Sequence, residues 1–234
     1  GPSIKQPSQT VNDLLGRGFP VSFELGMVTL ILAVISGITL GIIAALRRNG
    51  IIDYIAMSIA VIGLSIPNFV MATSLIQQLS VNFKILPAAT WTSPLHMILP
   101  TLALATGPMA IIARLTRSSM IEVLTQDYIR TARAKGLSPM KIVFKHALRN
   151  ALMPVITVLG TIAASVLTGT FVIEQIFAIP GMGKYFVDSI NTRDYPVIMG
   201  TTVFYSSILI IMLFLVDIAY GILDPRIKLY KKEG

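Results

Sequence analysis

Between Asp127 and Pro154 the chain reads DYIRTARAKGLSPMKIVFKHALRNALMP, a basic, amphipathic stretch set between two long apolar segments. Its residue types suit gripping rather than bond-making. Tyr128, Ile129 and Ala132 share one face of a short helix, with Arg130 and Arg133 pointing elsewhere. Gly136 ends that helix, as glycine does just past a helix terminus. Ser138 and Pro139 then supply an N-cap and a first helical residue. Met140, Val143, Phe144, Ala147 and Leu148 recur at i, i+3, i+4, i+7 and i+8, predicting a second amphipathic helix. Lys141, Lys145 and Arg149 lie on another of its faces, and Asn150 leads into the next apolar run. Two readings fit: a basic helix lying on anionic lipid, or a helix–Gly–helix plug entering a partner's groove.

Other chemistry is sparse. There is no cysteine, which excludes disulfides and thiolate metal sites. No GxxxxGK[ST] phosphate loop and no HExxH metal motif occur. His96 and His146 are assigned to opposite sides of a membrane, so no shared metal site is expected. Eleven Met are scattered as ordinary apolar filler.

The elements that position the basic stretch follow from composition. The chain has 234 residues, 54% hydrophobic and only 13% charged, with long tracts almost free of charge. Soluble domains carry about 25% charged residues, so this is an integral membrane protein. Its net charge of +8 does not call for nucleic acid, because the basic residues sit in short loops beside apolar spans.

A bilayer crossing needs about 20 apolar residues. Five are read: 22–46, 54–79, 95–115, 151–173 and 198–223. Pro100, Gly107 and Pro108 interrupt the third. Arg47 and Arg48, the Arg114–Arg149 cluster, and the tail with Arg226, Lys228, Lys231 and Lys232 are expected on the cytoplasmic side. The Lys84 and 177–197 loops, poor in Lys and Arg, are expected outside. The expected organisation is an extracytoplasmic tail over 1–21, a membrane-spanning helical domain over 22–223 and a cytoplasmic tail over 224–234. An outer polar tail without a signal peptide leads to the expectation of one more transmembrane helix upstream, six in all.

Within the spans, Glu24, Glu174 and Asp217 lie near ends; interfacial placement or pairing is one reading and proton relay the other. Gly37/Gly41 and Ser165/Gly169 are small-residue pairs that suit helix packing. Ser65, Pro67 and Asn68 mark an expected kink that could line a pathway. In the 177–197 loop, IPGMGKYF implies a tight turn. Pro180, Gly181, Gly183 and Lys184 are its candidate partner contacts.

The basic segment resembles the EAA loop of ABC-transporter permeases, the membrane subunits of binding-protein-dependent importers. Anchored on Gly136, Ala132 matches the second alanine and Leu148 the leucine of that motif. Arg130, Thr131, His146 and Arg149 depart from it. The variant of the dipeptide, oligopeptide and nickel permeases matches far better: YIRTARAKGLS with HALRNALMP, FPVSFELG, LSIPNF, EQIFAIPGMGKYF and LDPRIK, in order. ILPAATW is similar to the first of the two paired permeases.

The resemblance implies an all-α type I importer transmembrane fold, a homologous second permease, two ATPase subunits and an extracytoplasmic binding protein. It implies a cytoplasmic-membrane location in a bacterium or archaeon. Tyr128, Arg130, Thr131, Ala132, Lys135, Gly136, Ser138, Pro139, His146, Leu148, Arg149 and Asn150 would be the ATPase-coupling residues. ATP and Mg would bind the partners, with no cofactor in this chain and no catalysis by it. Peptide is the expected substrate. The alternatives are a nickel or metal chelate on the same fold and, more remotely, a secondary carrier or membrane scaffold.

Overall fold

The computed structural model describes residues 1–168 and 170–223; the side chains of 168, 216, 217 and 219–223 are outside the description. Gly169, the Asp217 side chain and the basic tail therefore lie outside the described residues. Among those described there is no β-strand, only an isolated bridge between Pro2 and Thr10.

α1 spans Val11–Leu46, 36 residues. It begins eleven residues before the first expected apolar crossing because Thr10 and Asp13 form a capping box. The Thr10 Oγ1 accepts from the Asp13 N–H at 3.2 Å, and the Asp13 carboxylate accepts from the Thr10 N–H at 2.9 Å. Half of the expected outer tail is thus helix. α2 (Ile51–Ser65) and α3 (Asn68–Leu75, continued by a π-helical stretch Ile76–Asn82) replace the single second crossing. They meet at 105°. The expected kink is a full break because Pro67 holds Ile66 extended, at ψ 122°, and offers no N–H to bridge the turn.

α4 (Ile98–Leu124) follows a 3₁₀ turn, Pro94–Met97. Pro108 does not interrupt it, and it runs nine residues past the expected end. α5 (Asp127–Ala134) and α6 (Pro139–Lys141), a π-helical stretch Ile142–Ala147 and α7 (Leu148–Ala151) build the basic segment. α8 (Met153–Thr168), α9 (Phe171–Ile176), α10 (Met182–Thr192) and α11 (Tyr195–Leu223) complete the chain. The 177–197 loop therefore contains a helix. Among the described residues four helices are long and apolar enough to cross a membrane, and a fifth is obtained if the bent α2–α3 pair counts as one.

α1 and α4 form the spine. The Gly37/Gly41 pair lets them touch: a Cβ on Gly41 would lie 2.5 Å from the Thr116 Cβ and 2.6 Å from the Ala113 carbonyl oxygen. Gly37 meets Ile112 and the Met109 carbonyl in the same way. Gly41→Ala should therefore force the spine apart and lower the melting temperature in detergent, a loss of about 1–3 kcal/mol. Gly16→Ala is the control, since nothing lies within 4 Å of its Cβ position; it should be neutral or stabilising. Equal melting of the two variants would refute this account.

The spine has two distinct ends. Ala45 of α1 and Met120 of α4 pack with Ile129, Ile142, Val143, Ala147 and Ala151 at one end. Leu25, Leu99, Phe177 and Ile179 pack together toward the other.

Candidate functional site

The basic segment forms a ledge across the ends of α1 and α4. Ile129 and Ala132 of α5 are buried there, with Met120 fully enclosed beneath them. α5 stops in a complete Schellman arrangement: Gly136 N–H donates to the Arg133 carbonyl and Leu137 N–H to the Ala132 carbonyl. Gly136 has φ +74°, the left-handed region that favours glycine. Ser138 is extended, at ψ 147°, and Pro139 opens the next helix. The Asn150 Nδ2 donates to the Tyr128 hydroxyl at 2.8 Å and ties the two arms together.

The predicted apolar stripe is split between two sides of the ledge. Ile142, Val143, Ala147 and Ala151 face inward, while Met140 is 64% and Phe144 56% exposed. The π-helical stretch causes the difference: i→i+5 bonding adds about one residue per turn and rotates the apolar stripe out of phase. Of the expected contact residues, Tyr128, Arg130, Thr131, Lys135, Gly136, Ser138, Pro139, Arg149 and Asn150 are exposed. His146 and Leu148 are half-buried, and Ala132 faces the bundle. The outer surface of the ledge is thus Tyr128, Met140 and Phe144 among Arg and Lys side chains. Periodicity put Met140 and Phe144 on the apolar stripe without saying which side of the ledge that stripe faces.

The other two groups of candidates lie elsewhere. Ser65, Pro67 and Asn68 sit exposed at the α2–α3 break. Asn68 faces Gly107 on α4, its Oδ1 3.9 Å from where a Cβ would stand. Near this break an apolar hollow of about 260 Å³ is lined by Leu32, Met71, Leu75, Leu102, Thr106 and Met109.

At the far end, Pro180 is exposed and Lys184 half-buried, but Gly181 and Gly183 are buried. These glycines serve a buried network. The Glu174 carboxylate, fully enclosed, accepts from the hydroxyls of Ser22 (2.7 Å) and Thr170 (2.6 Å) and from the Gly183 N–H (2.7 Å). Ser22 Oγ in turn accepts from the Met182 N–H at 2.9 Å. A Cβ on Gly183 would press on the Phe171 Cα at 2.6 Å. Interfacial placement, pairing and proton relay were the readings open for Glu174; its contacts identify it as the group that fastens the α9–α10 turn to α1.

A second carboxylate holds the N-terminal segment. Asp194 is 3% exposed and accepts from the Ser3 hydroxyl and from the N–H groups of Ile4 (3.2 Å) and Lys5 (3.2 Å). Burial opposes its ionisation, but the bonds from Ser3, Lys5, Ile4 and the Val197 N–H outweigh it, and its pKa lies below the usual carboxylate value. When the segment is released the carboxyl returns to its ordinary value. Docking is therefore at full strength above the ordinary carboxylate range and is lost as pH falls through the depressed pKa. The protection factors of residues 3–9, corrected for intrinsic exchange, should fall across that acidic window. In Asp194→Asn they should be low throughout it; a protected segment at the lowest pH would refute this.

A long helical spine, a broken second crossing and a basic ledge at one end define a membrane-spanning subunit of a transport machine. The fold is that of type I ABC importer permeases. The structure superposes on the inward-facing MetNI methionine ABC transporter with a TM-score of 0.75, covering 90% of this chain and 96% of that one at 20% identity. An amino acid ABC transporter gives 0.70 over 90% and 94%, at 15% identity. The chain belongs to the family of binding-protein-dependent transport system inner membrane components, whose pattern matches residues 37–229. It is 80% identical over 232 residues to the dipeptide transport system permease protein DppB of Bacillus subtilis, covering 99% of this chain and 75% of that protein. It is 46% identical over 230 residues to the oligopeptide transport system permease protein OppB of Haemophilus influenzae, at 97% and 75% coverage.

Proposed function

We propose that this chain is a membrane subunit of an ATP-driven importer of dipeptides or oligopeptides. The observation that carries the reading is the 80% identity to a dipeptide permease along 99% of the chain. A homologous second permease completes the pathway, and peptide reaches it from an extracytoplasmic binding protein. The α5–α7 ledge faces the cytoplasm and docks on an ATPase subunit, where ATP and Mg bind; this chain hydrolyses nothing itself. The placement of Arg47, Arg48 and Arg117 at the ledge end of the spine supports that orientation.

The ledge suits its task physically. Its inner face is welded to α1 and α4 by Met120, Ile129 and Val143, so a push on its outer face moves both helices. Exposed Tyr128, Met140 and Phe144 offer anchors of the kind that dominate interface energetics, ringed by cations.

The test is uptake of labelled dipeptide and oligopeptide into proteoliposomes holding the full complex, with ATP inside and binding protein outside. ATP-dependent uptake that requires the binding protein is expected. Uptake of a nickel chelate in place of peptide, or peptide uptake without ATPase subunits, would overturn the reading.

A further inference from the structure

α2 is held against α4 at two points. The first is an ion pair: Arg117 Nε and Nη2 donate to the Asp53 carboxylate at 2.5 and 2.7 Å. The Asp53 side chain is 3% exposed and that of Arg117 27%. A third bond, from the Asn49 N–H at 2.9 Å, fastens the α1–α2 turn to the same carboxylate. The second point is a close approach, where a Cβ on Gly63 would lie 3.2 Å from the Thr106 carbonyl oxygen. Between them Ala56 and Ala60 are buried on the same face of α2. The two pins, Arg117 and Thr106, stand about 16 Å apart along α4 at 1.5 Å per residue.

Each pin adjoins something that matters. One turn beyond Arg117 is Met120, buried against the ledge residues Ile129, Ile142 and Ala147. α4 passes into α5 through a tight turn in which the Thr125 and Gln126 N–H groups bond back to Glu122 and Val123. Just beyond Gly63 lies the 105° break at Ser65–Asn68. Among the described residues Asp53–Arg117 is the only ion pair that joins two helices; the other, Arg130–Asp127, lies within α5 and is exposed. A buried ion pair is a poor stabiliser compared with apolar packing, and its clearest use is to impose one arrangement on its partners.

We propose that Asp53–Arg117 is a positioning latch that makes α2 and α4 one lever, delivering displacement of the α5–α7 ledge to the α2–α3 break. The proposal rests on the ledge being the docking site of the ATPase subunits. When the ledge moves, α4 moves with it through Met120. The latch obliges α2 to follow at its near end, and Gly63 obliges it at its far end. The motion then concentrates just past the Ile66 N–H bond to the Ile62 carbonyl, where Pro67 has no N–H to continue the helical ladder. Without the latch α4 moves and α2 lags.

The chain lacks cysteine, so single-cysteine reporters are clean. Leu64→Cys reports on the break and Gln126→Cys on the ledge joint, each in the full complex in proteoliposomes. Maleimide labelling rates are compared without nucleotide and after trapping with ATP, Mg and vanadate. With the latch intact both rates should change on trapping. With Asp53→Asn or Arg117→Gln the change should persist at 126 and vanish at 64. Peptide uptake per ATP hydrolysed should fall about tenfold while hydrolysis stays within about twofold, the scale of a coupling loss. The swap Asp53→Arg with Arg117→Asp should restore both readouts.

A response at 64 that survives latch removal overturns the proposal. So does a parallel fall of hydrolysis and uptake, which would make the pair a simple fold pin. Absence of any response at 126 with the latch intact would instead overturn the docking reading, and the lever with it. Asp53→Asn keeps side-chain size and can still accept from the Asn49 N–H, so that variant should assemble for the comparison.

Discussion

Replacing Glu174 by alanine is expected to yield little or no folded permease. The carboxylate is fully enclosed and receives three hydrogen bonds, from Ser22, Thr170 and Gly183. Alanine strands all three donors and leaves a cavity. Each orphaned buried donor costs about 1–3 kcal/mol. Their sum is comparable with the whole net stability of a domain, about 5–15 kcal/mol. Glu174→Gln should be milder, since its carbonyl can still accept from Gly183 while Ser22 and Thr170 reorient their hydroxyls. Glu174→Asp should fall between, because its shorter side chain cannot reach α1 and the Gly183 N–H together. Fluorescence-detected size exclusion and thermal melting in detergent check the order, native above Gln above Asp above Ala. An alanine variant that melts with the native protein would remove the network from the account of this fold.

Phe144→Asp is expected to release the ATPase subunits while leaving the membrane part intact. Phe144 is 56% exposed and absent from the cluster that seats the ledge on Met120. Its loss should therefore spare insertion and folding. Truncating a central aromatic anchor costs about 2 kcal/mol or more of binding, some 30-fold in affinity. A buried, unpaired carboxylate adds to that. Arg130→Glu, at the exposed rim, should act more weakly and show a marked salt dependence. Co-purification of the ATPase subunits and binding-protein-stimulated hydrolysis are the readouts. Undiminished association in Phe144→Asp would move the docking surface away from Met140 and Phe144. Loss of the folded membrane subunit would show that Phe144 packs inward.

Much of this was legible in the residues, and the misses share a cause. The all-helical membrane class followed from apolar run lengths, and the helix–Gly–helix segment from Gly136, Ser138 and Pro139. These are local signals: a left-handed φ, a cap and a proline act within one turn. The Gly37/Gly41 pair was legible as a packing motif, but its partner, α4 at Met109–Thr116, came only from the tertiary structure. Periodicity named an apolar stripe but could not say which side of it is buried. The π-helical stretch 142–147 carries no mark in composition, and there Val143 and Ala147 turn inward while Met140 and Phe144 stay exposed. Prolines proved ambiguous: α4 absorbs Pro108 against its neighbours, whereas Pro67 breaks the chain by 105°. Which happens depends on what can satisfy the freed carbonyl, and that is a matter of surroundings.

What the sequence determined by itself, then, is which segments are helical and apolar, where the basic charge gathers, and which family pattern the chain carries. Hydrophobic run length and turn chemistry need no partner to be read. Only the tertiary structure decided that Glu174 clasps Ser22 and Gly183 across 152 and 9 residues of chain. It alone paired Asp53 with Arg117 and showed which side of the ledge is free. Such contacts are set by how helices cross, through the summed packing of many small residues along α1, α2 and α4. A lone acid near the end of an apolar run looks the same in sequence whether it meets water, a cation or a buried turn.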